Sequence, residues 1–202
     1  MKNLSYYLML VVLVATGCSK DWLEVKPKGT TLEANYYRNA DEAFAGLVAV
    51  YDPLGWDVVK DYSSKVGYLN TASDDCWAGG GNFADRATWE AWNTYTLDPA
   101  LGPQDDFWGR NYSGVARANV LLSKIDNVPM DENLKKRFKA EAKFLRAYYY
   151  FDLIRLFRSI PLILEPLSPA EFYNVTQVAR DQVWQQIERD LNDAIPDLPL
   201  NV

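Results

Sequence analysis

The sequence contains no histidine. That removes the side chain that most often serves as general base or metal ligand near neutral pH, and with it Ser/His and Cys/His nucleophile pairs and ordinary zinc sites. Cysteine is scarce as well: only Cys18 and Cys76 occur, and no CxxC spacing marks a redox or metal pair. Basic charge is short, with 21 Lys and Arg against 27 Asp and Glu for a formal charge of −6. No basic patch of the kind that tracks a phosphate backbone is visible, so nucleic acid is not an expected partner. Long apolar runs are missing too. The clearest one, YYLMLVVLVA over residues 6–15, is too short to cross a bilayer core of about 30 Å as a stable helix. These absences set aside most catalytic, metal and cofactor chemistry, and the expectation is a protein that is not an enzyme and carries no metal or cofactor.

What is present is enough apolar content for a core, 49% of 202 residues, which suits one domain. It includes 7 Trp and 13 Tyr, residues that serve cores and binding surfaces alike. The chain is organised around residues 131–158, DENLKKRFKAEAKFLRAYYYFDLIRLFR. Phe138, Ala142, Leu145, Tyr149, Leu153 and Leu156 recur at three and four, and Ala140, Phe144, Ala147, Phe151 and Ile154 repeat the period on a neighbouring face. A helix apolar on two sides has to lie between other elements. Asp131 suits its N-cap, and Pro161 blocks continuation. Arg146 falls between the apolar faces and is expected to pair with an acid, because an unpaired buried charge is costly. Lys135, Lys136, Lys139 and Lys143 form a basic stripe read as a solvated face.

Three further helices are expected. One covers residues 39–54, with Asn39 as cap, Glu42 at the third position of a capping-box-like start, and Ala43, Leu47, Val50 and Tyr51 inward. Another starts near Gln104 and carries Phe107, Trp108, Tyr112, Val115, Leu122 and Ile125, ending before Pro129. The last begins near Thr176, with Val183, Ile187, Leu191 and Ile195 inward and Pro196 at its end. Between the first two, residues 57–103 keep no helical period and read as a long loop region with a short helix or strand, the kind of segment that tends to carry function. The fold class is therefore all-α, with tetratricopeptide-like helix pairs and long irregular loops.

The N-terminal segment has its own logic. Lys2, the apolar run and Ala15-Thr16-Gly17-Cys18 resemble a bacterial lipoprotein signal, in which Cys18 becomes the acylated residue. Residues 1–17 are then a signal peptide, 18–35 a lipid-anchored tether, and 36–202 the folded region.

Several stretches carry a resemblance to a known family. FLRAYYYFDLIRLF followed by IPL, the Glu42, Ala43, Gly46 and Tyr51 spacing, the Trp108, Tyr112, Asn119, Leu121, Leu122 and Ile125 pattern, and Val183, Trp184, Ile187, Asp190 and Leu191 together resemble the RagB/SusD family of outer-membrane nutrient-binding lipoproteins. The chain departs from that pattern at Arg158, where the family usually has glycine. Family members are commonly much longer, so the resemblance implies an N-terminal fragment. It implies a surface-facing outer-membrane lipoprotein that binds a nutrient, most naturally a glycan, and delivers it to a SusC-like TonB-dependent transporter. The short charged tract Ser19, Lys20, Asp21 and Glu24 resembles the surface-export tag of such lipoproteins.

The candidate ligand site lies in residues 74–93. Oligosaccharides are recognised by flat aromatic faces together with carboxylates and amides for the hydroxyls. Trp77, Trp89, Trp92 and Tyr95 supply the first, and Asp74, Asp75, Asn82, Asp85, Arg86 and Asn93 the second, with Asp74, Asp75, Trp77, Trp89, Trp92 and Asn93 favoured as the set. The competing reading makes the tryptophans core residues of a helical-repeat adaptor, which predicts their burial. Gly79-Gly80-Gly81 lacks the context of a phosphate loop and reads as a hinge. The Asp74/Asp75 and Asp105/Asp106 pairs do not suit glycoside hydrolysis, since adjacent side chains diverge. Cys76 is expected as a lone, partly buried thiol.

Overall fold

Six α-helices are found among the described residues, which are 36–56, 65–82, 84–98, 100 and 104–200. They are α1 (Ala40–Tyr51), α2 (Lys65–Thr71), α3 (Ala87–Asn93), α4 (Gln104–Lys124), α5 (Glu132–Phe157) and α6 (Arg180–Ala194) in this computed structural model. No strand occurs among them, only an antiparallel bridge between Pro161 and Gln177. None of these helices is long and apolar enough to cross a membrane. The signal segment, Cys18 and the tether lie outside the described residues, as do residues 57–64 of the long loop.

α5 begins where the sequence places it. The Asp131 carboxylate accepts from Leu134 N–H at 2.9 Å, satisfying one of the first-turn donors. Its apolar residues pack on α4 and α6, and Phe138, Ala142, Leu145, Tyr149 and Leu153 are buried, with α1 closing over α4 and α5. The core is thus built from helix pairs in the tetratricopeptide manner, α4 with α5 and α5 with α6. The second stripe is only partly covered. Ala140, Ala147 and Ile154 are buried, whereas Phe144 is 44% and Phe151 36% exposed. Phe151 instead meets the edge of Trp184 at 5.7 Å and the Arg155 guanidinium at 4.2 Å.

Arg146 pairs as expected. Its Nε and Nη2 donate to the two Asp190 carboxylate oxygens at 2.8 and 2.7 Å, and Nη1 donates to Asn119 Oδ1 at 2.8 Å and to the Leu164 carbonyl at 3.3 Å. The side chains of Arg146 and Asp190 are almost completely buried. Asn119 donates onward to the Ile163 carbonyl, and Tyr150 both donates to Ile163 O and accepts from Ile163 N–H. The crossing after α5 is therefore fastened to the helices at Ile163 and Leu164.

The basic stripe is not a solvated face. Lys135 is buried and donates to Glu132 at 2.8 Å, Lys139 reaches Asp126 at 2.7 Å, and Lys143 reaches Asp193 of α6 at 2.6 Å. Of the four, Lys136 alone is left exposed without an ion pair among the described residues. The stripe faces the turn after α4 and the last turn of α6, both of which offer acids. Exposed pairs of this kind contribute about 0–1 kcal/mol each.

Helix ends account for the other differences. α1 stops at Tyr51, short of the expected residue 54, because Pro53 has no N–H to return to Ala49 and a 3₁₀ turn, Asp52–Gly55, takes over. The freed Ala49 carbonyl accepts from Arg117 Nη1 at 2.8 Å instead. Asn39 caps Glu42 N–H as expected, but the Glu42 carboxylate turns back to the Arg38 N–H and guanidinium, not to Asn39. Tyr51 is 39% exposed rather than inward, with its hydroxyl on Glu141. α6 starts at Arg180 and not near Thr176, because Gln177 joins the bridge and Val178 N–H donates to Ile160 O. Pro196 tightens its end into a 3₁₀ turn that leaves Ile195 68% exposed.

At the exit of α5, Arg158 adopts φ 62°, ψ −60°, and Ser159 N–H donates to Phe157 O at 2.7 Å. That is the rare positive-φ γ-turn, a strained conformation for a residue with a Cβ. It is also where the sequence departs from the glycine of the pattern it resembles. Arg158→Gly is expected to raise stability by about 1 kcal/mol, read from the denaturant midpoint. An unchanged or lower midpoint would mean that Arg158 is not strained.

Tyrosine hydroxyls tie these helices to neighbouring carbonyls: Tyr112 to Pro161, Tyr149 to Val50, and Tyr150 to Ile163, each within 2.7 Å. Burial raises all three phenols above their ordinary value, and burial with the Glu141 bond pushes Tyr51 up to about 12. Because the folded-state value is raised, this stabilisation is complete below the unfolded value of about 10 and is lost as pH rises above it. Phenolate absorbance during an alkaline titration should show these tyrosines ionising only with unfolding; ionisation near pH 10 in the folded chain would contradict the burial.

Candidate functional site

Residues 74–93 sit on a small platform of two short helices. α2 and α3 pack on each other around Tyr68, which is fully buried. The Trp92 ring stacks on Tyr68 at 5.3 Å with 23° between planes, and Phe107 of α4 meets Tyr68 edge-on at 6.0 Å. An ion pair adds to this. Lys65 at the start of α2 donates to both oxygens of the fully buried Asp152 on α5, at 2.7 and 2.6 Å, and to the Tyr148 hydroxyl at 2.9 Å. Arg155 supplies a second cation to Asp152 at 2.8 Å.

The sequence-derived site residues separate into two groups on this platform. Trp77 is 88% exposed, and Asp74 and Asp75 are exposed beside it in the chain. Trp92 is partly buried in the aromatic stack, and its Nε1 is buried with no hydrogen-bond partner among the described residues. Asn93 is partly buried and its Oδ1 accepts from Ala78 N–H at 2.7 Å. Trp89 lies between the groups, half-buried over Gly67 with the Arg86 guanidinium 5.1 Å from its ring centre. Cys76 is exposed, not partly buried, since it belongs to the outward segment with Asp75 and Trp77. The glycine run forms a closed turn in place of a simple hinge: Gly81 N–H donates to the Asp85 carboxylate at 2.9 Å, and Asn82 Oδ1 accepts from Ala84 N–H.

Sequence reasoning passed over two features. Lys65, which is paired with the buried Asp152, and Tyr148 border a cleft of about 180 Å³ also lined by Pro53, Arg110 and Asn111. The signal was available, because Asp152 interrupts the apolar run of α5 just as Arg146 does. The other is an exposed aromatic pair in the crossing, Phe172 and Tyr173, at 62% and 92% exposure.

The family profile described as "Starch-binding associating with outer membrane" matches residues 21–202. This chain belongs to the SusD-like family. SusD-like protein P2 of Formosa agariphila is 26% identical over 200 residues, which cover 98% of this chain and 39% of that protein. Among solved structures, a laminarin-binding SusD-like protein matches with a TM-score of 0.72 and 47% identity, over 81% of this chain and 35% of that one. Surface glycan-binding protein A from Bacteroides uniformis matches with a TM-score of 0.72 and 29% identity, over 79% and 35% respectively. This SusD-like chain thus spans well under half the length of the relatives it matches.

A Cβ at Gly67 would collide with the Trp89 ring, so glycine here lets the indole lie against α2. Gly67→Ala is expected to lower stability by about 1–3 kcal/mol and to change the near-UV signal of Trp89, since an overpacked contact has to be relieved by moving the ring. Unchanged unfolding and spectra would show that Trp89 does not depend on that contact.

Proposed function

We propose that this chain is the N-terminal part of a lipid-anchored outer-membrane protein that captures a glycan of the laminarin class at the cell surface and passes it to a SusC-like TonB-dependent transporter. The observation that carries the reading is the 47% identity with a laminarin-binding SusD-like protein over 81% of this chain. In the domain layout, residues 1–17 are the signal peptide, 18–35 the tether acylated at Cys18, and 36–202 the folded region. The mechanism is binding and hand-over with no bond broken. In the ligand site, Trp77 and Trp89 offer faces to sugar rings and Asp74 and Asp75 accept from hydroxyls, while Trp92 and Asn93 hold these residues in place from behind. The helical-repeat adaptor reading expects buried aromatics in this stretch, and the 88% exposure of Trp77 weighs against it.

The test is a pull-down from native outer membranes with the full-length gene product tagged at its C-terminus, followed by mass spectrometry and a laminarin binding assay on the same preparation. Recovery of a large β-barrel transporter in near-equal amount, with saturable laminarin binding, is the expected result. Absence of any barrel while the anchor is intact would remove the import role, and absence of laminarin binding would remove the ligand class.

A further inference from the structure

Two hydrogen bonds bracket the segment between α2 and the glycine turn. The Tyr95 hydroxyl donates to the Ala72 carbonyl at 2.6 Å, and Asn93 Oδ1 accepts from Ala78 N–H at 2.7 Å. Both partners come from the end of α3: Asn93 is its last residue, and Tyr95 follows at φ 55°. The two ends of residues 72–78 are thereby fastened to one short stretch of chain. Inside the segment the Ser73 hydroxyl donates to Asn70 O and accepts from Asp75 N–H, which closes a local turn.

The bond from Asn93 goes to the Trp77–Ala78 peptide. Ala78 is 4% exposed, while the neighbouring Trp77 is 88% exposed. An indole left in water beside a buried, hydrogen-bonded residue gains nothing from core packing, yet its backbone is held as a core residue's would be. We propose that Asn93 and Tyr95 are positioning residues that hold Trp77 as a preformed aromatic platform. Asn93 then acts through Trp77 and does not touch the ligand. The ligand for this platform rests on the glycan reading above; the clamp itself does not. Holding the ring in advance removes part of the ordering cost that a mobile loop would impose on binding. Only the acceptor oxygen of Asn93 is used in the clamp, so a carboxylate should replace the amide.

Fluorine NMR of the full chain in detergent, with fluorotryptophan incorporated and the Trp77 resonance assigned by its loss in Trp77→Phe, tests the clamp without ligand. Asn93→Leu and Tyr95→Phe should shift and narrow that resonance as the ring gains freedom, while Asn93→Asp leaves it as in the parent chain. With laminarin as probe, Asn93→Leu should weaken binding about tenfold, and adding it to Trp77→Ala should cause no further loss, because the two act as one unit. A Trp77 resonance unmoved by Asn93→Leu and Tyr95→Phe overturns the clamp. Losses from Asn93→Leu and Trp77→Ala that multiply overturn action through Trp77. If the parent chain does not bind laminarin, the glycan reading falls, and the fluorine spectra still decide the clamp.

Discussion

Arg146 carries a full positive charge into the middle of α5, between two apolar faces, where an unpaired charge would cost several kcal/mol. The guanidinium is a planar fork with fixed donor directions, so each partner has to arrive from a set position. Asp190 comes from α6, Asn119 from α4, and the Leu164 carbonyl from the crossing. Three segments remote in sequence are thus registered against α5 by one side chain. A purely apolar contact could give comparable stability, but it would tolerate sliding by a turn. Gln186 donates to the same Asp190 carboxylate at 3.0 Å, which leaves the acid fully engaged. The directional bonds tie these segments to one register, while the cost of burying both charges offsets much of the pair's attraction.

The loop platform hangs from this frame. α4 and α5 extend past the Arg146 layer to Phe107, Phe157, Tyr148 and Asp152, and these receive Tyr68 and Lys65 of α2. A buried carboxylate with two cationic partners is again directional, so α2 is located by charge as well as by packing. Through Tyr68 and Trp92 the position of α2 fixes α3. Side chains on irregular chain keep a set place only if something rigid holds that chain, and here the tandem of Asp152 and the aromatic stack provides it.

Much of this was legible in the sequence. Period and caps gave α5 almost to the residue and period gave the start of α4, and a charge set among apolar positions announced that Arg146 must be paired. The same signal was present at Asp152 and passed unread. Three differences have one source, since the covered side of a helix depends on what lies across from it in space. Phe144, Phe151 and Ile195 fit an inward period, yet too little of the described chain lies over them. Lys139 and Lys143 looked solvated because their acids belong to other segments. The candidate site was the least legible part. α2 and α3 are seven residues each, about two turns, too short for a period to separate exposed from buried faces. Trp77, on the irregular chain between these helices, and Trp92 looked alike in sequence, although one is open to solvent and the other stacks on Tyr68.

That the frame depends on one buried charge pair is tested most directly by a double-mutant cycle at Arg146 and Asp190, with Arg146→Met, Asp190→Leu and the double variant compared by denaturant unfolding. Each single change strands its partner's buried charge and should cost about 3–5 kcal/mol, while the double variant strands neither charge and should cost far less than the sum. Single-variant losses that simply add, or that stay below about 1 kcal/mol as for an exposed pair, would contradict the claim.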